Sequence, residues 1–281
     1  MFIVFLFGSS IGLILVACKL SNLVIIPILQ YYFTIESDSS IFLTKFVIMF
    51  FLATISLPFA LPSELSSKFI NFSQISIVLI LYMTILLFVE IFSYQKNYTY
   101  KRLPAFSLFK WNIFDFLKYF GNFAYSFNCI ANVFTMMGQL KKNNHSKHIK
   151  KIYLFTTAGL FLIFSALGII GYAMVGNDAA EYDLIILRDP LPGSKDIPMK
   201  ICYLGVSMLN LIGFIMYIMP LKMQLYGFLK IRMTTCKNVT VTIFLVYVPA
   251  FIGWIYPYST EVFGFLGAFF ATMLSITFPG I

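Results

Sequence analysis

Three asparagines lie in the middle of one apolar run, and they are the residues of this sequence best suited to hold a polar ligand. The run F-G-N-F-A-Y-S-F-N-C-I-A-N-V-F, residues 120–134, contains Asn122, Asn128 and Asn132 among small residues. Asparagine is a poor helix former, and its amide is costly in hydrocarbon without partners. Two interpretations remain open: the small and polar residues join a continuous helix to its neighbours, or the helix is interrupted and its freed backbone groups bind a ligand.

Few other ionisable residues lie within apolar runs. Glu90, in L-L-F-V-E-I-F, is either a proton carrier or a carboxylate at the membrane interface. Lys19 lies two-thirds along the first run, where it either extends to the membrane surface or lines a cavity. His145 and His148 have no Cys or carboxylate beside them, so no metal site is predicted.

Motifs of known catalytic chemistry are absent from the sequence. It has no P-loop, no dinucleotide fingerprint, no paired-histidine zinc motif and no G-x-S-x-G nucleophile elbow. The four cysteines show no metal or redox spacing. We therefore predict that the protein is not an enzyme and uses no cofactor.

Composition indicates which solvent surrounds the protein. Hydrophobic residues make up 60% of the 281 residues and charged residues 11%, whereas a soluble domain carries about a quarter charged residues. The lipid bilayer is therefore the predicted partner of most of the surface. The net charge of +9 does not indicate nucleic-acid binding, because the basic residues lie in short loops between apolar runs, as in membrane proteins with an excess of cytoplasmic Lys and Arg.

The apolar runs predict an all-α membrane protein of about eight transmembrane helices. A helix needs roughly 20 apolar residues to cross the hydrocarbon, and the first run is long enough to be a retained span rather than a cleaved signal peptide. All of residues 1–281 then form a single transmembrane domain. The predicted spans are residues 1–29, 41–61, 70–93, 112–139, 150–175, 198–229, 239–256 and 261–281.

Loop charge gives a weak indication of orientation. The loops after the second, fourth and sixth predicted spans carry about ten Lys and Arg, including Lys222, against about eight on the other side. The acid-free lysine cluster at residues 141–151 is accordingly placed in the cytosol. Asn97, in the sequon N-Y-T, then lies outside as a candidate glycosylation site, although a sequon can also occur by chance.

Five segments, in order along nearly the whole chain, resemble the amino acid/auxin permease family. Y-S-F-N-C-I-A-N-V-F, residues 125–134, resembles the broken sixth helix of that family, most closely in its neutral amino acid transporter branch. Residues 168–176 and 215–222 resemble the ends of its seventh and eighth helices. Residues 56–67 resemble its fourth helix and following loop, and residues 265–279 its tenth helix.

The resemblance implies a LeuT-type bundle of two inverted five-helix repeats, with this chain supplying the third to tenth helices. We expect the bundle to be incomplete without the first two helices, because the first forms half of the substrate site. We therefore expect no transport by this chain alone. The resemblance further implies a substrate-binding break within residues 123–130, and the predicted site residues are Tyr125, Ser126, Phe127, Asn128 and Cys129.

The eighth helix of the family suggests how ion coupling differs here. In the sodium-dependent branch it carries hydroxyls in a T-x-T-x-P stretch, but the corresponding residues are Leu211 and Gly213. Sodium coupling is therefore not expected, and the proton is the default coupling ion. On the same span, Asn210 is a predicted site residue and Ser207 a neighbouring polar group; interhelical hydrogen bonding is the alternative role of both.

Two departures from the branch lie in and beside its sixth helix. Ile130 stands where the branch often has His, and Gln139 where it often has Glu. The predicted function is alternating-access transport of an amino acid, or that of a partial copy of a transporter. A non-transporting amino acid sensor on the same fold and an inert truncated fragment are the alternatives. The plasma membrane and the vacuolar or lysosomal membrane are both open.

Overall fold

The computed structural model describes residues 1–32, 38–62, 67–97, 113–126, 145–175, 196–230 and 234–273. All the regular elements in these ranges are helical. They are α1 (Phe2–Tyr32), α2 (Asp38–Ala60), α3 (Ser67–Asn97), α4 (Ile113–Ser126), α5 (His145–Val175), α6 (Ile197–Leu229), α7 (Thr235–Ile255), α8 (Ser259–Phe265) and a π-helical segment (Leu266–Ala271) that continues α8.

Five stretches in the described residues are long and apolar enough to cross a membrane. They coincide with the first, second, fifth, sixth and seventh predicted spans: Phe2–Tyr32, Ser40–Ala60, Leu154–Ala173, Ile197–Leu229 and Thr235–Ile255. The third and eighth predicted spans contain shorter apolar helices, Gln74–Glu90 and Ser259–Ala271. The fourth is described only as α4, so a count of eight spans remains a prediction.

Helix α1 lies at the centre of the described bundle. It contacts α2, α6, α7, α8 and the π-helical segment, most extensively α6. Phe5, Leu6 and Ile14 of α1 are fully buried, and they share one core cluster with Phe214 and Ile218 of α6. Because α1 is apolar nearly all round, it is suited to an interior position rather than to a water-facing one.

Hydrogen bonds of two serine hydroxyl groups reinforce the contact between α1 and α6. The Ser21 and Ser207 hydroxyls are 2.7 Å apart, and Ser207 Oγ lies 2.8 Å from the Ala17 carbonyl oxygen to which it can donate. Both serines are buried. In an apolar interior such bonds replace water as the partner of a polar group. The structure thus shows for Ser207 the interhelical role that was one of its two expected roles.

A buried lysine joins the end of α2 to α6 and α7. Lys222 Nζ donates to the carbonyl oxygens of Ala60 at 2.9 Å, Leu61 at 3.1 Å and Pro62 at 3.2 Å, and to Thr242 Oγ1 at 3.4 Å. The last carbonyls of a helix have no partner within it, and a cation there interacts favourably with the helix dipole. Lys222 therefore closes the carboxyl end of α2.

The buried position of Lys222 corrects one part of the orientation predicted from loop charge. Loop charge predicted that Lys222 belongs to a cytoplasmic loop, but the residue lies inside α6 with a fully buried side chain. Its charge is bound by carbonyl dipoles within the protein, so it does not contribute to the loop excess that orients a membrane protein.

Helix α5 forms the periphery of the bundle. It packs against α3, and large apolar side chains such as Phe155, Leu162 and Ile169 are two-thirds exposed or more. An apolar surface of this extent would aggregate in water, whereas hydrocarbon is a suitable solvent for it. This face agrees with the membrane environment that the composition predicts.

The Lys222 contacts predict a marked loss of stability when the ammonium group is removed. Lys222→Met keeps much of the side-chain volume but leaves buried carbonyls at the end of α2 unpaired, at roughly 1–3 kcal/mol for each. We expect a clear fall in the thermal unfolding midpoint of the detergent-solubilised protein. Lys237→Met, at an exposed lysine of α7, is the matched control and should leave the midpoint nearly unchanged. Equal midpoints for the two variants would contradict the role assigned to Lys222.

Candidate functional site

Helix α4 carries the described part of the predicted substrate segment. It packs against α8 and the π-helical segment, and glycines on both sides permit the close approach. A Cβ atom on Gly267 would collide with the Gly121 carbonyl oxygen, and one on Gly121 with the Gly264 carbonyl oxygen. Only residues without side chains allow two backbones to come this close.

Tyr125 projects from α4 into the space between α1 and α8. Its ring centroid is 6.0 Å from that of Phe5 and 4.7 Å from that of Phe263. The hydroxyl group is buried and makes no hydrogen bond of normal geometry within the described residues, although the Ser9 and Tyr217 side chains are close enough to interact with it. The predicted site residue Tyr125 therefore lies in packed protein, and within the described residues its hydroxyl group has only the Ser9 and Tyr217 side chains near it.

Asn122 lies one turn before Tyr125 and has a similar unsatisfied polar atom. Its Oδ1 is buried without a hydrogen-bond partner in the described part of the chain, and it lies 3.5 Å from the position that a Cβ atom on Gly264 would occupy. Sequence reasoning noted Asn122 but did not include it among the site residues. Its spacing of three residues from Tyr125 was the signal, because residues i and i+3 share one face of a helix.

The remaining predicted residues of this segment are only partly described. Ser126 is exposed, and its Oγ donates to the Asn122 carbonyl oxygen at 2.9 Å, a bond typical of a serine within a helix. Residues 123–126 are helical. Phe127, Asn128, Cys129 and the rest of the predicted interruption, up to residue 130, lie outside the described residues.

On α6, the Asn210 side chain bonds to a backbone group of its own helix. Its Nδ2 donates to the Val206 carbonyl oxygen of the same helix at 2.8 Å. The nearby positions that could have supplied sodium ligands face α1: Leu211 packs on the apolar core, and Gly213 lies beside the Leu13 side chain. Asn97, the candidate glycosylation residue, is the last residue of α3, and its side chain lies outside the described ones.

The π-helical segment opposite α4 is a feature that the sequence analysis did not predict. Residues Leu266–Ala271 have the wider π pattern, and Thr272 Oγ1 donates to the Gly267 carbonyl oxygen at 3.0 Å. Short π-helical stretches in α-helices occur frequently at functional sites. Here the segment lies directly against Gly121 and Tyr125, so it borders the same site.

Glu90 is the buried carboxylate of the described region. Its side chain is 5% exposed, and the carboxylate is near enough to the Cys202 and Tyr82 side chains to act on them electrostatically. Cys202 belongs to α6, so Glu90 is directed to the α3–α6 contact. The two expectations for Glu90, an interfacial carboxylate and a proton carrier, both stay predictions.

Comparison with known proteins identifies one family. The sequence profile described as "Transmembrane amino acid transporter protein" matches residues 1–281. No curated protein and no solved structure shows a significant match to the chain. The profile covers every helix described above, including α4 and the elements that surround Tyr125.

The glycine contacts between α4 and the π-helical segment predict a sharp sensitivity to added volume. In Gly267→Ala, the new methyl group would meet the backbone of Gly121, which cannot move aside as a flexible side chain could. Overpacking of this kind costs about 1–3 kcal/mol, so the thermal unfolding midpoint in detergent should fall. Gly159→Ala in α5 should be neutral or slightly stabilising, because no described atom beyond its own turn of helix lies within 4 Å of the new carbon. A neutral Gly267→Ala would show that the two backbones are not in this contact.

Proposed function

Because this chain belongs to the transmembrane amino acid transporter family, we propose that it moves an amino acid by alternating access around the segment from Tyr125 to Cys129. Membership favours transport over a sensor or an inert fragment. The expectation that this chain alone does not transport stays a prediction. Uptake by residues 1–281 in proteoliposomes, measured as described below, would contradict it. The motif at residues 125–134 further supports the neutral amino acid branch and a LeuT-type bundle. In such transporters, substrate binds near the middle of the membrane where helices are interrupted.

The observation that carries the proposal is a pair of buried polar atoms on α4, Asn122 Oδ1 and Tyr125 Oη, that make no hydrogen bond of normal geometry within the described residues. A buried polar atom without a partner costs roughly 1–3 kcal/mol, and a bound substrate can remove that cost. The α-ammonium group of an amino acid can donate to Asn122 Oδ1, while the Tyr125 hydroxyl can donate to its carboxylate. Backbone groups near Asn128 would complete the binding of both charged groups.

The remaining predicted residues have supporting roles in this proposal. The Tyr125 ring packs between Phe5 and Phe263, so substrate entry requires α4 to move relative to α1 and α8. Phe127 would then shape the pocket for the substrate side chain. Asn210 would contribute from α6, because its one hydrogen bond within the described residues uses Nδ2 and an amide has further bonding capacity.

We further propose that the proton, not sodium, drives transport. Leu211 and Gly213 offer no side-chain oxygen, whereas a hard cation such as Na⁺ requires several oxygen ligands. Glu90 is the described carboxylate best placed to carry a proton, because it is buried in a membrane-spanning region where ionisable groups are rare and commonly form proton relays.

Tyr125→Phe separates a binding role from a structural one. The hydroxyl is buried and makes no hydrogen bond of normal geometry within the described residues. Its removal should therefore leave the thermal unfolding midpoint unchanged or raise it, because the desolvation cost disappears. If the hydroxyl binds substrate, the KM for amino acid uptake in proteoliposomes should rise about three- to tenfold, the equivalent of one lost hydrogen bond. Both quantities are measured on the same preparation.

The matched control is Tyr226→Phe, which removes another buried hydroxyl that has no hydrogen-bond partner within the described residues, near the end of α6. This variant should show the same stability effect without a change in KM. An unchanged KM in Tyr125→Phe, with uptake otherwise intact, would contradict the proposed contact.

Ion replacement and one substitution test the coupling ion. Uptake in choline should equal uptake in sodium at fixed pH, and an inward proton gradient should stimulate it. Glu90→Gln should abolish that stimulation but preserve substrate exchange at equal pH, because exchange requires no net proton movement. Glu261→Gln, at an exposed carboxylate, should retain the stimulation. A large loss of uptake in choline would reject the proposal.

A further inference from the structure

A cavity lies between α1, α2 and the end of α7. Its volume is about 590 Å³, and it is formed by the carboxyl-terminal half of α1, the amino-terminal half of α2 and the end of α7. None of its lining residues belongs to α4 or to the π-helical segment. The walls are mainly apolar and aromatic, and include Leu15, Leu23, Ile26, Ile41, Phe42 and Trp254.

Two lysines on different helices line this apolar cavity. Lys19 of α1 is half-buried, and its Nζ donates to Ser259 Oγ at 3.3 Å. Lys45 of α2 is exposed. Within the described residues no carboxylate lines the cavity. Glu261, the acid in the first turn of α8, is not a lining residue and accepts a hydrogen bond from the Tyr256 hydroxyl.

One hydrogen bond joins the two lysine-bearing walls, and a second, within α1, supports it. Cys18 Sγ donates to the Lys45 carbonyl oxygen at 3.8 Å, and Asn22 Nδ2 donates to Cys18 Sγ at 3.3 Å. Cys18 and Asn22 are themselves lining residues. The Cys18 contact therefore places the stretches of α1 and α2 that carry the two lysines side by side along one cavity.

We propose that this cavity binds an anionic phospholipid, with its phosphate between Lys19 and Lys45 and acyl-chain carbons along the apolar walls. Positive charge in a partly dehydrated site attracts an anion, and basic pockets between transmembrane helices bind anionic lipid headgroups. The apolar walls fit an amphiphile better than a soluble anion, and the bilayer supplies amphiphiles at high local concentration. Phe42 and Trp254, whose ring centroids are 4.9 Å apart, provide the aromatic surface typical of the headgroup region.

Native mass spectrometry of the full chain in detergent tests the assignment. Phosphatidylglycerol and phosphatidylcholine with identical acyl chains are titrated into the protein, and the fraction that remains bound is compared. We expect preferential retention of phosphatidylglycerol. Lys19→Gln and Lys45→Gln should each weaken that retention about fivefold, while the combined Lys19→Arg and Lys45→Arg variant, which retains both charges, should preserve it.

Lys151→Gln, at an exposed lysine of α5, is the charge-matched control and should bind phosphatidylglycerol as the unmodified chain does. Folding of each variant is verified by its thermal unfolding midpoint. Equal retention of the two lipids, or equal loss in the control and the cavity variants, would overturn the proposal. Displacement of the bound lipid by glycerol phosphate at similar concentration would assign the site to a soluble anion instead. The test does not depend on transport, so the proposed function can fail while this site stands.

Discussion

The buried ammonium group of Lys222 is the interaction on which the described scaffold depends most directly. In hydrocarbon no water is available for the last carbonyls of a helix, so each must find a partner in the protein. At the end of α2, Lys222 bonds three successive carbonyls, and the Asn238 Nδ2 donates to the second of them, Leu61, at 2.8 Å. One point therefore joins α2, α6 and α7, and α1 packs against all three.

The sequence predicted the helices well where length and composition determine them. The first two predicted spans, residues 1–29 and 41–61, match α1 (Phe2–Tyr32) and α2 (Asp38–Ala60) to within three residues at each end, because few polar residues interrupt an apolar run that must cross the hydrocarbon. The partners of Lys222 could not be predicted in this way. Its three carbonyl partners lie 160 residues or more away along the chain, and no local pattern indicates such a contact.

The candidate site, too, could be predicted from the sequence only in part. The polar and small residues around Tyr125 marked α4 as unusual, since asparagine in an apolar run needs a special environment. The neighbours of Tyr125 come from α1 and α8, which lie more than a hundred residues away on either side. The π-helical segment could not be predicted from the sequence either, because the residues Leu266–Ala271 are compatible with an ordinary α-helix. Local chemistry therefore indicated which helix matters, while the surfaces that face it depend on the tertiary fold.

The two kinds of contact in the structure suggest which parts move during transport. Lys222 and the Ser21–Ser207 pair fix α1, α2, α6 and α7 through directional hydrogen bonds, which are lost when helices slide. The border of α4 is formed instead by glycine backbones against the π-helical segment and by aromatic rings around Tyr125. Contacts of this type can re-form after a small shear displacement. A substrate that pairs Asn122 and Tyr125 would then favour one position of α4 over another, and such differential affinity is required for a ligand to shift a conformational equilibrium.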